Sequence, residues 1–302
     1  VTPAPTSRVL AIIVTYHPEP TRLTALVARI RPQVSAVLVV DNGSALPPGW
    51  LESLGVTTLA LGRNTGVAGA LNRGIAHLMA GSWSHALTLD QDSVPAPDMV
   101  ARLLEAESRL MAEGVPLAAV GPVHVDPRTG VVAVSETFRG LRRVWAIPES
   151  DGVLEVNHLI TSGMLVHRAA LEAVGPMREA LFIDYVDIDW CVRAQGLGRR
   201  LIAVGAARMD HTIGDAVIRV RSLGGFSFKA HSPLRDYFIA RNGVAMLRHP
   251  HGRLGWKLAI AKDVVVRNAV FWAFQGHRLT RMGRIAQGIW HGLIGRLGPP
   301  PP

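Results

Sequence analysis

Cysteine is nearly absent from the chain. Cys191 is the single cysteine among 302 residues, so no disulfide can form within the chain. That fits a reducing compartment. No uninterrupted apolar run approaches the roughly 18 residues of a spanning helix, and none is expected to cross a membrane. The apolar stretch Val9 to Val14 is short and passes straight into Thr15 and Tyr16, so the start is not expected to act as a signal peptide. Acidic residues are scarce at the other end. From Arg219 to Pro302 there are 14 Lys and Arg against 2 Asp and Glu, whereas the preceding part holds 18 against 21. The net charge of +9 therefore originates in the C-terminal quarter. Such a block implies an anionic partner or, more plainly, a solvated basic face. No nucleic-acid motif accompanies it, so DNA and RNA are not expected partners. Gly62, Gly66 and Gly69 lack the G-x-G-x-x-G spacing, which removes support for a dehydrogenase-type dinucleotide fold. No internal repeat is visible, and the only low-complexity stretch is Pro299 to Pro302, expected to be disordered.

What is present is apolar material, 48% of the chain, enough for a substantial core. It is ordered in alternation. Residues 8–16, 36–40, 57–61 and 86–89 read as short buried strands; 21–30, 67–79 and 97–113 carry helical spacing. Continuous apolar strands alternating with helices predict an α/β fold with a parallel sheet covered on both faces. Shorter strands are expected over 117–125, 131–134 and 153–166, then a helix over 184–195 and a strand over 200–204. After about Ser222 the pattern becomes helical and basic.

Polar clusters fall where the strands end, which is where open α/β sheets bind ligands. Asp90-Gln91-Asp92 follows an apolar strand, and two carboxylates one residue apart are costly to leave unpaired there. A divalent cation would justify them, since Mg²⁺ is held by one or two carboxylates plus substrate phosphates. A solvated Asp pair in a turn is the alternative. Thr15 could bond a base carbonyl, and Asp41 a base or ribose hydroxyl. Arg63 and the amides near Gly66 could meet phosphate at a helix N-terminus. An ordinary turn would equally explain Asp41-Asn42-Gly43. Asp184, Asp187 and Asp189 form a further cluster: Asp184 and Asp187 share a helical face, and Asp189 stands four residues before Arg193, which leaves one carboxylate free to act as a base. Asp210-His211 follows a strand, and His211 is a candidate metal ligand.

The order TYHP, VVDNGS, RNTGVAGALNRGI, LTLDQDS, SGMLVHR, FIDYVDIDWCVRA and DHTIGD resembles the family-2 inverting glycosyltransferases of the GT-A fold. The run His231 to Asn242 is similar to their bacterial rhamnosyltransferase branch, and the resemblance covers about residues 8–248. It implies a GT-A catalytic domain over 1–240 and a basic amphipathic helical extension with a Pro tail over 241–302. It implies donor contacts from Thr15, Tyr16, Asp41, Arg63, Asn64, Gly66, Asn72, Asp90, Gln91 and Arg241. Asp90, Asp92 and His211 would hold Mg²⁺ or Mn²⁺. Asp187 matches the family's catalytic Asp, with Asp184 as second candidate, because Val186 stands where the family's Glu is usual. Trp190 would border the acceptor. The implied activity is transfer of a sugar, with dTDP-L-rhamnose favoured as donor, to a lipid-linked or polysaccharide acceptor in cell-envelope biosynthesis. A UDP-sugar enzyme for a hexose or galactofuranose is the alternative. A nucleotidyltransferase would need a Gly-rich first loop with Arg and Lys, which Thr15-Tyr16-His17-Pro18 does not provide.

The last helix, expected over 277–297, has Leu279, Met282, Ala286, Ile289 and Leu293 on one side and Arg281, Arg284, Gln287 and His291 on the other. A basic amphipathic helix of this kind suits the inner face of the plasma membrane as a peripheral anchor. Packing on the catalytic domain or in a homodimer is the other use of the same stripe.

Overall fold

The computed structural model describes residues 7–47, 49–126, 130–210, 217–220, 226–229, 232–274 and 276–300. The chain runs β1 (Val9–Thr15), α1 (Pro20–Ile30), β2 (Ala36–Asp41), α2 (Trp50–Ser53), β3 (Thr57–Ala60), α3 (Gly66–Ala80), β4 (His85–Asp90), β5 (Val94–Pro95) and α4 (Met99–Ala112). It continues through β6 (Leu117–Val125), β7 (Ser135–Arg139), β8 (Arg142–Ala146), β9 (Val153–Glu155), β10 (Met164–His167), α5 (Arg168–Val174), α6 (Val186–Gly196) and β11 (Arg200–Asp210). The last elements are β12 (Val217–Val220), β13 (Phe226–Lys229), α7 (Pro233–Met246), α8 (Leu254–Phe274) and α9 (Arg278–Ile294).

The main sheet has the order β3-β2-β1-β4-β10-β6-β11-β5, with β9 paired to β11. β1 to β4 are mutually parallel, while β10 runs antiparallel between β4 and β6. The sheet is thus mixed. β1 shows why its run is apolar throughout: Leu10 and Ile12 enter the core beneath α3, while Val9, Ala11 and Ile13 enter the core beneath α1 and α4. Alternate side chains of one strand feed both layers, so no polar face remains. α1 begins where Glu19 accepts the N–H groups of Thr21 and Arg22 at 2.9 and 3.0 Å and Pro20 takes the first helical position. Leu23, Leu26, Val27 and Ile30 then fall on its buried side.

The middle departs from expectation. Residues 131–134 form no strand; the hairpin β7–β8 follows them instead. The single run expected over 153–166 is two strands, β9 and β10, on different neighbours. β11 continues to Asp210 through an irregularity between Val204 and Arg208. β13 lies within the segment expected to be helical.

α7 spans residue 240, where the sequence suggested a domain boundary. α9 packs across it through an inward face of Arg281, Ile285, Gly288, His291 and Gly292. A Cβ on Gly288 would stand 2.4 Å from the Tyr237 carbonyl oxygen, and one on Gly292 2.5 Å from that of Arg241. Backbone meets backbone here, which only glycine permits. The Arg281 guanidinium bonds the fully buried Asp236 carboxylate, and Tyr237 Oη pairs with His291 Nδ1 at 2.8 Å. The apolar stripe of α9 consequently faces outward.

Candidate active site

The sheet reverses its winding between β1 and β4, since β2 and β3 lie to one side of β1 and later strands lie beyond β4. The crevice at such a point is where open α/β sheets take ligands. Strand register brings the chemistry there: Thr15 is level with Asp41, and Val14 with Asp90. Thr15 Oγ1 donates to Asp41 Oδ1 at 3.2 Å, and Asp41 Oδ2 accepts the Ser44 N–H at 3.0 Å. Gln91 ties the two strand ends, accepting the Tyr16 N–H at 2.8 Å and donating to the Tyr16 carbonyl at 3.3 Å. The Tyr16 ring is left exposed.

The loop before α3 is built by amides. Asn64 Oδ1 accepts from the Gly66 N–H at 2.9 Å and from Asn42 Nδ2 at 3.1 Å. Asn42 Oδ1 accepts the Thr65 N–H at 2.8 Å. Gly43 sits at φ +90°, and a Cβ there would lie 2.5 Å from the Arg63 carbonyl carbon. That contact presses the β2 loop against Arg63, whose residue is exposed. Gly66 has φ +79°, and its Cβ would lie 2.5 Å from the Phe182 carbonyl oxygen. The N-terminus of α3 therefore abuts the loop that leads into α6.

That loop is strained. Phe182, Asp184 and Tyr185 all adopt φ between 61° and 66° without being glycine. Such conformations cost of order 1–3 kcal/mol each and persist only where the surroundings impose them. Asn242 does so here: its Nδ2 donates to the carbonyls of Leu181, Ile183 and Asp184 at 3.0, 2.8 and 3.0 Å. The loop aims two carboxylates at the end of β4. Asp184 is held by Arg235, with Nη2 to Oδ1 at 3.0 Å. Asp187, in the first turn of α6, accepts the Ile188 N–H at 2.8 Å. Burial, reinforced by the Asp184 charge, lifts the Asp187 carboxyl to about 6. Burial together with the charges of Asp92 and Asp187 lifts Asp90 to about 7, against an opposing pull from Arg235. Asp90, Asp92, Asp184, Asp187 and Arg235 thus form one electrostatic cluster. The Asp90 N–H is held by Ser162 Oγ at 3.2 Å, and Ser162 also bonds Ser93.

Other expected site residues lie outside this cluster. Asn72 uses its amide on the Met177 backbone, donating to O at 2.9 Å and accepting from N at 2.8 Å. Trp190 is fully buried and donates to the Gly175 carbonyl at 3.0 Å. Arg241 is also fully buried and donates to the carbonyls of Leu181 at 2.9 Å and Gly298 at 2.7 Å. It supports the 180–185 loop from behind. His211 lies outside the described residues. Among the described residues no group of three or more His, Cys, Asp or Glu is set to hold a metal. Asp189 is paired with Arg193 at 2.9 Å, as the four-residue spacing suggests. Burial alone would raise its carboxyl, but His249 and Arg193 hold it below the usual range.

Arg235 and Ser162 are the residues that sequence reasoning did not single out. Arg235 had a local signal. Ser232 caps α7 by accepting the Arg235 N–H at 3.3 Å, and Pro233 starts the helix, which fixes Arg235 in the first turn. Ser162 opens the SGMLVHR run, but nothing local points to its partner Asp90, 72 residues earlier.

Residues 11–143 match the family described as Glycosyl transferase family 2. The chain is 29% identical over 299 residues to the dTDP-rhamnosyl transferase RfbF of Shigella flexneri, covering 97% of each. It is 28% identical over 194 residues to the uncharacterized protein Rv1525 of Mycobacterium tuberculosis, covering 62% of this chain and 67% of that one. Among solved structures it resembles GalNAc-T7, crystallised with UDP, GalNAc and Mn²⁺, with a TM-score of 0.56 at 13% identity. That match covers 85% of this chain, which spans about half (55%) of the solved one. The switch-point crevice, the carboxylates it gathers and these likenesses agree with the motif order read from the sequence. The chain is similar to the family-2 glycosyltransferases over residues 11–143 and to a dTDP-rhamnosyl transferase over nearly its whole length, and it has the GT-A fold.

Proposed function

We propose that the chain transfers L-rhamnose from dTDP-L-rhamnose, with inversion, to a lipid-linked or polysaccharide glycan acceptor in cell-envelope biosynthesis. The observation that carries the reaction is the Asp187 carboxyl, lifted to about 6 beside the Asp90–Asp92 pair. A base with a pKa near the working pH suits proton removal from a hydroxyl. The acceptor oxygen attacks the anomeric carbon on the face opposite the nucleotide. The new C–O bond forms as the bond to the diphosphate breaks, and the hydroxyl proton goes to Asp187. The products are the glycoside and dTDP, and no covalent enzyme intermediate is needed.

The remaining residues take supporting roles in this reading. Thr15, Tyr16, Asp41 and Arg63 border the nucleoside end of the donor, and Asn64, Gly66 and Gln91 shape its pocket. Burial, with the Asp92 and Asp187 charges beside it, lifts Asp90 to about 7, and such a buried carboxylate pair suits a divalent cation, Mg²⁺ or Mn²⁺. Asp90 and Asp92 would hold it, with His211 as a further candidate, and bound there it would offset charge on the diphosphate leaving group. Arg235 stands ready to add positive charge on the same side. Residues 1–240 carry the donor chemistry in this reading, and 241–302 an extension for a peripheral position on the inner face of the plasma membrane.

The donor assignment rests on likeness to a dTDP-rhamnosyl transferase over nearly the whole chain. A UDP-sugar is the second reading, favoured by the UDP in the solved structure of shared fold. A thermal-shift comparison with Mn²⁺ tests it. Among dTDP-rhamnose, UDP-glucose, UDP-galactose and GDP-mannose, the first should stabilise most; a ligand at 100 times its Kd adds about 2.7 kcal/mol. A larger shift with a UDP-hexose would transfer the assignment to that sugar.

A further inference from the structure

We propose that the outward face of α9 lies flat on an anionic lipid bilayer. The inference deepens the peripheral location in the reading above by naming the surface and its orientation. Leu279 is 80% exposed and Trp290 60%, and Met282, Leu293 and Ile294 are exposed beside them. Leu258 and Val265 on α8 are likewise exposed.

This apolar face cannot be hidden by rolling the helix. Its opposite side is fixed by the Arg281–Asp236 bond, the His291–Tyr237 bond and the two glycines pressed on the α7 backbone. Rolling α9 inward would leave the Asp236 charge buried without its arginine and drive bulky side chains into a contact that has room for none. Ile285 apart, the usual arrangement is inverted: small and polar groups pack within, and large apolar groups stand outside. A contiguous exposed apolar patch of this kind marks an interaction surface.

Charge selects the occupant. The segment 219–302 has 14 Lys and Arg and only Asp236 and Asp263 as acids. Both acids are paired with arginines, Asp236 with Arg281 and Asp263 with Arg143 at 2.8 Å. The surplus cations include Arg284 on α9, Arg296 just past it, and Lys257 and Lys262 on α8. A second copy of the chain would bring two such positive surfaces together, whereas anionic headgroups complement them. No described helix is long and apolar enough to cross a membrane, so the contact is interfacial. A tryptophan among leucines suits the headgroup boundary.

The experiment is vesicle sedimentation of the full chain without donor, so that it reads lipid contact and not transfer. Vesicles of phosphatidylcholine with about one-third phosphatidylglycerol should pellet the protein. Pure phosphatidylcholine should pellet far less, and high salt should release part of the bound fraction because headgroup attraction is screened. The substitutions Leu279→Gln, Trp290→Gln and Leu293→Gln together should lower partitioning about tenfold or more, with the melting temperature and the donor-induced shift unchanged. Equal pelleting of this variant and the wild type would overturn the assignment. So would a wild-type dimer that ignores vesicles and that the triple variant disperses. If the triple variant fails to fold, the comparison of charged with neutral vesicles on the wild-type chain decides, and equal binding to both overturns the anionic surface. Binding as expected without rhamnose transfer supports this face and removes the donor assignment instead.

Discussion

Asp184 and Arg235 share an ion pair of 3.0 Å, while the Asp187 carboxylate, three residues on, accepts the Ile188 N–H of its own helix at 2.8 Å. The two carboxylates of one strained loop are thereby given different chemistry. A guanidinium holds Asp184 in place. Asp187 has burial and a neighbouring negative charge acting on it, which makes it the better proton acceptor.

Asp187→Asn is therefore expected to keep donor affinity and to lower kcat by about 10²-fold or more. Asp184→Asn should cost less and raise KM more than it lowers kcat, since that residue shapes the loop. Steady-state rates with dTDP release as readout check both. The opposite ranking would assign the base to Asp184.

The Asp90 carboxyl gives two pH signatures. Its folded-state value of about 7 lies above the ordinary carboxylate range, so the native state holds a proton that the unfolded chain has lost. Stability in chelator should fall as pH rises from about 4 to about 7, and Asp90→Asn should flatten that slope. Mn²⁺ competes with the same proton, so its affinity should rise over that window. Melting curves and metal titrations at several pH values measure both. A slope unchanged in the variant would remove Asp90 as the source.

Arg235→Gln removes a cation that holds Asp90 down. The pH at which Mn²⁺ begins to bind should move upward in this variant, and Asp184 should lose its restraint. Arg235→Lys should restore the metal titration more than it restores turnover, because a point charge replaces a planar fork. Metal binding followed against pH separates these effects from a loss of folding.

Arg281→Ala should destabilise by about 3–5 kcal/mol, the range for stranding one member of a buried ion pair. Replacing both Asp236 and Arg281 with apolar residues of similar volume should recover much of that loss. Denaturant melts of the single and double variants form the test. A single variant as stable as the wild type would show that the pair is not what fixes α9.

Half of this architecture could be read directly from residues. β1, β2 and β4 announce themselves because strands buried on both faces are largely apolar, and Asp189 with Arg193 followed from four-residue spacing. β10 was hidden because four residues pair between strands that lie far from it in sequence. Trp190 fell beside the acidic cluster in sequence, yet helical rotation carries it into the core toward Gly175. The facing of α9 was opaque for a different reason. Hydrophobicity predicts burial only when the inner side has nothing stronger to offer, and here Asp236, 45 residues upstream of Arg281, supplies it. Arg241 was expected as a donor contact from the resemblance alone; the three-dimensional course of 180–182 and Gly298 instead takes up its guanidinium.

Gly298 donates its N–H to the Ala180 carbonyl at 2.7 Å, and its own carbonyl receives Arg241. The support of the loop that bears Asp184 and Asp187 therefore includes residues made more than a hundred positions later. On the ribosome the parallel half of the sheet has its partners early, whereas this loop has to wait for α9 to emerge. A nascent chain passes through a stage in which β1 to β4 have their partners and the loop of Asp184 and Asp187 is not yet held. The support of this loop arrives together with the helix whose apolar face stands outward.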